Sequence, residues 1–186
     1  MSRPSHEAVL LVDGYNIIGA WPCLKKTRDN AGLEAARGEL VEAMTSYSSF
    51  QGYDTQIVFD AQYHNASSNK EIITELLSVH YTDFGQTADT YIEKTCASLR
   101  YQIAQSRIAR MIVATSDRAQ QLTVQGYGAE WLSAQQLCGE VETTVCRMRH
   151  KYQSRKQPQS RFLANSIDAK ARQRLAELRM GFSNKY

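Results

Sequence analysis

Acidic side chains recur where predicted strands end and where one predicted helix begins. Asp13, Asp60 and Asp117 each follow an apolar segment, and Asp89 and Glu93 lie four residues apart on one helix face. Crowded carboxylates repel one another and raise each other's pKa unless a cation neutralises them. Oxygen ligands of this kind select a hard divalent ion, Mg²⁺ or Mn²⁺. Such an ion activates water and stabilises the charge on a phosphodiester during displacement.

Each acid also has an ordinary structural explanation. An Asp-Gly step after a strand, such as Asp13-Gly14, is a common turn in which the carboxylate accepts backbone N–H groups. Two acids at i and i+4 destabilise a helix by only about a few tenths of a kcal/mol. An acid near a helix N-terminus, such as Asp89, is electrostatically favourable. The repetition of acids at matching places favours a site over these separate explanations.

Other chemistries fit the sequence less well. The chain has neither a GxxxxGK[ST] phosphate loop nor a GxGxxG motif after its first strand. An aspartyl-phosphate mechanism at Asp13 usually needs a second acid two residues later, where Tyr15 stands. Ser116 has no nearby histidine base, which disfavours a nucleophilic serine. Zinc is disfavoured because the cysteines form no CxxC pair and the histidines lie away from these motifs, at His6, His64, His80 and His150.

The elements that must position these acids alternate between strands and helices. Apolar runs predict strands at 8–12, 55–61, 79–82, 110–117 and 129–132. Helical spacing and caps predict helices at 30–50, 70–78, 88–103, 118–125, 134–151 and 166–180, with loops at 15–22 and 62–68. This alternation predicts a three-layer α/β/α, Rossmann-like fold with a mostly parallel sheet and the first strand at its centre. The acids would then meet at the carboxyl edge, where open α/β sheets bind ligands.

Charge divides the chain into an acidic body and a basic tail. Residues 1–146 carry 11 Lys+Arg against 17 Asp+Glu, a balance of −6, whereas residues 147–186 carry 11 against 2, a balance of +9. We expect one domain over 1–150 and a basic linker with a C-terminal helix over 151–186. The tail indicates a surface for a polyanion, a solvated helix without a partner being the alternative. The absence of a bilayer-length apolar segment and of a signal peptide predicts a cytoplasmic protein without a membrane partner.

Several motifs resemble one known family. VDGYN at 12–16, AWP at 20–22, VFDA at 58–61, TAD at 87–89 and ATSD at 114–117 occur in this order, and GYGA follows at 126–129. They resemble the YacP-like branch of the NYN domains, which are PIN-like nucleases, over about residues 8 to 150. The resemblance implies a metal-dependent endoribonuclease for single-stranded RNA, linked to messenger RNA on the ribosome. It also implies that Asp13, Asp89 and Asp117 bind Mg²⁺ or Mn²⁺ and are catalytic, supported by Asn16, Asp60, Glu93 and Ser116.

Basic and aromatic residues supply candidate contacts to RNA. Backbone phosphates would be held by Arg118, Arg147, Arg149, Lys151, Arg155, Lys156, Arg161, Arg172 and Arg174. Trp21, Tyr15 and Tyr91 are candidates for base stacking, although aromatic residues of α/β proteins more often belong to the core.

Two glutamines separate this chain from the expected family pattern. Gln86 and Gln120 stand where relatives are expected to carry glutamate, and the metal site is weaker if those glutamates bind metal. The alternative is therefore a non-catalytic RNA- or ribosome-binding protein on a degenerate nuclease fold. A metal-dependent phosphatase for small substrates is a third hypothesis, which leaves the long basic tail unexplained. The sequence defines no oligomeric state.

Overall fold

The first strand lies at the centre of a six-stranded sheet. The computed structural model describes residues 8–60, 69–105 and 108–156. Within these ranges the strands are β1 (Ala8–Asp13), β2 (Tyr53–Phe59), β3 (Asn69–Ile72), β4 (Leu77–Tyr81), β5 (Met111–Ala114) and β6 (Glu130–Leu132). Their order is β3-β4-β2-β1-β5-β6, and only the β3–β4 pair is antiparallel. Strand order reverses at β1, which confirms the predicted central strand and mostly parallel sheet.

Helices cover both faces of this sheet. They are α1 (Gly14–Ala20), α2 (Pro22–Ala31), α3 (Leu33–Gln51), α4 (Ala88–Ala104), α5 (Arg118–Gly126) and α6 (Ala134–Lys156). Side chains alternate along β1, so Leu10 and Val12 pack in one core with residues of α1, α2, α3 and α6. Leu11 faces the opposite core, which it shares with residues of α4 and α5. The predicted three-layer α/β/α fold is thereby confirmed.

The segment 15–22, predicted as a loop, is helical instead. Asp13 caps α1 by accepting the Asn16 N–H, and Ile17 and Ile18 of this helix are buried. Pro22 begins α2 at a first-turn position, where its missing N–H has no consequence. The single helix predicted over 30–50 is also divided, because Gly32, with φ of 90°, separates α2 from α3.

The helix predicted over 70–78 is wrong. Residues 69–81 form a β-hairpin in which Ile73 N–H and Thr74 N–H both donate to the Leu77 carbonyl, each at 3.0 Å. Leu77 and Val79 of β4 are buried, as alternate residues of a strand are when one face meets a core. Parallel pairing with β2 draws this segment into the sheet and overrides its local helical pattern.

The last described helix is longer than predicted. Ser133 caps α6 as expected, since its Oγ accepts the Gln136 N–H at 3.2 Å, but the helix continues to Lys156 into the predicted linker. The predicted loop at 62–68 and helix at 166–180 lie outside the described residues. The chain divides into two units after Cys146, and the site below lies in the first. Among the described helices, none combines the length and apolar character needed to cross a bilayer.

Candidate active site

A cleft of about 300 Å³ opens at the carboxyl edge of the sheet. Its lining residues are Asp13, Tyr15, Asn16, Asp60, Thr87, Ala88 and Asp89. Three of the five predicted acids therefore share one cleft. Asp117 and Glu93 are not among the lining residues, but both act on it electrostatically: Asp117 raises the pKa values of Asp13 and Asp89, and Glu93 raises that of Asp89.

Asp13 is the most deeply buried of these acids, with 8% of its surface exposed. Burial raises the pKa of Asp13 to about 6, because the charged form loses hydration. The Asn16 N–H, which donates to Asp13 Oδ1 at 3.1 Å, partly opposes this rise. The neighbouring carboxylates add to it, in the order Asp89, Asp117 and Asp60. The charged groups that act on the pKa of Asp13 are therefore all acidic.

Asp89 lies in the first turn of α4. Thr87 caps this helix by accepting the Thr90 N–H at 3.2 Å, and Ala88 and Ile92 bury their side chains against the sheet. The pKa of Asp89 is raised, first by burial and then by the charges of Asp117, Glu93 and Asp60. The acids around Asp13 and Asp89 therefore make both of these carboxyls harder to ionise, in addition to the effect of burial.

Two hydrogen bonds between a side chain and the backbone connect the segment after β5 to α1, which follows β1, and to α6. Asn16 Oδ1 accepts the Ser116 N–H at 2.7 Å, and Ser116 Oγ accepts the Ala134 N–H at 3.2 Å. Asp117 caps α5 by accepting the N–H groups of Ala119 at 2.7 Å and Gln120 at 3.2 Å. These bonds are what supporting roles for Asn16 and Ser116 require, and the roles themselves stay predictions.

The chemistry of these side chains fits a hard divalent cation. The charged groups that line the cleft are carboxylates, and a cation among them would stabilise the ionised form of Asp13, which burial and then the neighbouring acids disfavour. Over residues 8–60, 69–105 and 108–156, no three acidic, histidine or cysteine side chains already converge as metal ligands. Binding a cation would therefore draw these carboxylates closer together.

Sequence reasoning missed part of the cleft and the residue that supports it. Thr87 lines the cleft although it is not among the predicted site residues, and Tyr15, a predicted stacking candidate, lines it from a helix and not from the predicted loop. The buried Arg37 donates to Tyr15 Oη at 3.1 Å and lies over the rings of Phe59 and Tyr81, at 6.0 and 5.8 Å from their centroids. The sequence signal for this role of Arg37 is a positively charged residue next to Ala36 on the apolar face of α3.

The structure describes only part of the predicted RNA-contacting set. Arg118 is exposed at the start of α5, and Arg147, Arg149 and Lys151 are exposed on α6. Arg155 and Lys156 belong to the same helix, whereas Arg161, Arg172 and Arg174 lie outside the described residues.

The two departing glutamines have different surroundings. Gln86 is half-buried in the segment before α4. Gln120 is only 3% exposed in the first turn of α5, and neither atom of its amide has a hydrogen-bond partner in the described part of the chain. An acid at either position would have added negative charge near Asp89 or Asp117, and the glutamines add none.

Comparison with known proteins defines the family. The model of the YacP-like NYN domain matches residues 10–180. The protein YacP of Bacillus subtilis (strain 168) is 40% identical over 144 residues, which cover 77% of this chain and 80% of that protein. The crystal structure of Rae1 (YacP) from Bacillus subtilis shares 35% identity with a TM-score of 0.66, covering 93% of this chain and 95% of that one. A substituted form of Rae1 gives 37% identity and a TM-score of 0.65, over 81% and 84% of the two chains. The chain therefore belongs to the YacP-like NYN domain family, within the PIN-like nucleases.

Proposed function

We propose that this chain is a Mg²⁺- or Mn²⁺-dependent endoribonuclease that hydrolyses single-stranded RNA and leaves a 3′-hydroxyl and a 5′-phosphate. The observation that carries the proposal is the convergence of Asp13, Asp60 and Asp89 on one cleft, with raised pKa values at Asp13 and Asp89. An acid cluster that is costly without a cation, in a chain of a nuclease family, is the arrangement that such catalysis needs.

In this proposal Asp13, Asp89 and Asp117 hold the metal. When bound, the cation supplies a water of lowered pKa and neutralises charge on the phosphate. Asn16 holds the β1 and β5 ends together through the Ser116 N–H, and Asp117 is oriented by the N–H groups of α5. Asp60 supports the cleft from the end of β2. The carboxylates are thus carried by the ends of β1 and β2 and by the starts of α4 and α5, and a bound cation would draw them together.

The substrate that we propose is messenger RNA, with the ribosome as a partner. The nuclease domain would span 1–150, and the basic segment over 151–186 would hold RNA backbone, together with the arginines at the end of the domain. Such phosphate contacts position RNA without reading its sequence, so the choice of cleavage site would come from other contacts.

Cleavage of a labelled messenger RNA, free and on translating ribosomes, tests this function. We expect discrete cuts with Mn²⁺ or Mg²⁺, none with chelator, and a loss of at least about 100-fold in Asp89→Asn and Asp117→Asn. Asparagine is an equally good N-cap, so Asp117→Asn preserves α5. Asp54→Asn is the matched control, because Asp54 is exposed at the start of β2, away from the cleft, and it should cut normally.

The outcomes separate the candidate functions. RNA or ribosome binding without cuts in either setting would support the non-catalytic alternative, with Gln86 and Gln120 as the first positions to restore to glutamate. Turnover of a small phosphate ester, with none on RNA, would support a phosphatase. Cuts that persist in both cleft variants would overturn the assignment of the acids.

Neutralising exposed arginines of α6 should flatten the salt dependence of RNA binding. Each phosphate contact to a single strand contributes about −0.7 to the slope of log K against log salt. Arg147→Gln combined with Arg149→Gln should therefore make the slope about 1.4 less negative. Lys25→Gln combined with Lys26→Gln removes the same charge from exposed positions of α2 and should leave it nearly unchanged. Equal slopes for both double variants would exclude the role of these arginines.

A further inference from the structure

One aromatic ring near the cleft is held outside the fold. Phe84 exposes 95% of its surface, more than any other exposed large hydrophobic residue in the described ranges. Two of the three aromatic candidates from the sequence are engaged within the fold instead, whereas Tyr15 lines the cleft. Trp21 is 3% exposed and donates its indole N–H to the Ala134 carbonyl at 2.7 Å, and Tyr91 stacks on His80 with centroids 4.0 Å apart.

The turn that carries Phe84 is fixed at its base. Gln86 N–H donates to the Asp83 carbonyl at 2.9 Å, and Gly85 has φ of 84°, the positive value that a type II turn needs at its third residue. Thr82 is fully buried and bonds twice, through its N–H to the Phe59 carbonyl at 3.0 Å and through its hydroxyl to the Gln86 carbonyl at 2.6 Å. The ring is therefore displayed by an ordered turn.

This turn leads directly into the cleft. It joins β4 to the start of α4, where Thr87, Ala88 and Asp89 form part of the lining. Three peptide units separate Phe84 from Thr87, so their Cα atoms lie at most about 11 Å apart. A nucleotide next to one bound in the cleft would be within reach of the ring.

Charge limits what this turn can bind. Asp83 belongs to the turn, and Asp60 and Asp89 line the cleft, so the turn itself offers no attraction to a phosphate. A neutral ring binds the face of a base, and every base has such a face. From the exposure, the fixed turn and this charge pattern, we infer that Phe84 is a stacking platform for an unpaired base of RNA beside the cleft. The inference deepens the proposed function and rests on it.

Binding of a labelled single-stranded RNA to the full chain tests the platform, in the Asp117→Asn background so that the RNA stays intact. Phe84→Ala should weaken binding about 10-fold, within a range of about 5- to 100-fold, whereas Phe84→Trp should bind at least as well as the parent. The slope of log K against log salt should not change, since no charge is removed. Tyr101→Ala is the matched control: Tyr101 is 71% exposed near the other end of α4, and its loss should leave binding within twofold.

RNA with a single abasic position, moved along the strand, locates the contact. With the abasic position at the contact, Phe84→Ala and its parent should bind the RNA with equal affinity. On duplex RNA, whose bases are already stacked, the two proteins should bind equally well wherever the abasic position lies. The thermal midpoint should be unchanged, because the ring buries almost nothing.

Equal RNA affinity for Phe84→Ala and its parent would overturn the inference. The exposed ring would then be a candidate contact for another protein. An equal loss on duplex RNA would overturn the inference as well. Failure of the proposed function gives a different result. The unsubstituted chain would then bind RNA in Mn²⁺ without cutting it, and Phe84→Ala would still weaken this binding.

Discussion

Asp13→Asn should make the metal-free protein more stable at neutral pH while abolishing metal-dependent cleavage. Burial raises the pKa of this carboxyl to about 6 in the fold, from an ordinary value of 3.8. Above pH 6 it is ionised in both states, and the difference of about two units corresponds to about 3 kcal/mol in favour of unfolding. Asparagine removes this charge and keeps an oxygen to accept the Asn16 N–H. We expect a gain of about 2–3 kcal/mol in the free energy of unfolding at pH 8.

The stability difference between Asp13→Asn and the unsubstituted protein should depend on pH. Between about pH 4 and pH 6 the folded carboxyl binds a proton that the unfolded one has released, so stability falls as the pH rises through this window. Below it both states are protonated, and the two proteins should become equally stable. Urea unfolding with chelator at pH 8, 5 and 3.5 measures the difference.

Metal binding should reverse the order of stability. Mg²⁺ should raise the thermal midpoint of the unsubstituted protein and leave that of Asp13→Asn unchanged, because a ligand that binds only the folded state stabilises it. Asp54→Asn, at an exposed site, should follow the unsubstituted protein throughout. A less stable Asp13→Asn at pH 8 would show that the ionised Asp13 stabilises the fold, and that burial and the neighbouring acids do not make its charge unfavourable there.

Gly14→Ala should cost at least about 3 kcal/mol of stability, at the large end for overpacking. A Cβ at Gly14 would lie 2.2, 2.5 and 2.8 Å from three carbons of the Phe59 ring. That ring is fully buried and packs against Tyr15 and Tyr81, with centroids 5.0 and 5.7 Å away, so it cannot withdraw cheaply. Because Gly14 follows Asp13 directly, the displacement should also impair cleavage.

Gly19→Ala in the same helix is the matched control. A Cβ there meets no atom within 4 Å, and alanine favours the helix by up to about 1 kcal/mol. Adding Phe59→Leu to Gly14→Ala should recover part of the loss, since the obstructing ring is gone. Urea unfolding of the parent, Gly14→Ala, Phe59→Leu and the double variant gives the coupling energy between positions 14 and 59. Unchanged stability of Gly14→Ala would mean that the backbone of α1 can shift away from Phe59 at no cost. The burial of Ile17 and Ile18 argues against such a shift.

The sequence predicted the strands with their acids better than it predicted the segments between them. Apolar runs such as those ending at Asp13 and Asp60 are specified locally, and parallel pairing then brings their ends to one edge. Helix α1 was missed because Gly14, Asn16 and Gly19 have low helix propensity, and burial of its isoleucines stabilises it instead. The strand predicted over 79–82 overlaps β4, whereas β3 depends on antiparallel pairing with β4, which no local pattern displays.

The sequence indicates the candidate acids by their residue type and position, but it does not indicate the contact that packs behind the cleft. An acid that follows an apolar segment can be recognised in the sequence. The hydrogen bond from Arg37 to Tyr15 connects α3 to α1 and exists only in the folded chain. The exposure of Phe84 likewise depends on how the turn before α4 is anchored.

The hydrogen bond from Ser116 N–H to Asn16 spans 100 residues of sequence. β5 must join β1 before this bond forms, and β5 is synthesised long after β1. A nascent chain that ends before residue 117 carries Asp13, Asp60 and Asp89 but cannot close the arrangement that holds them. Under the proposed function, we therefore expect a nascent copy that ends before residue 117 to be inactive toward the message that encodes it.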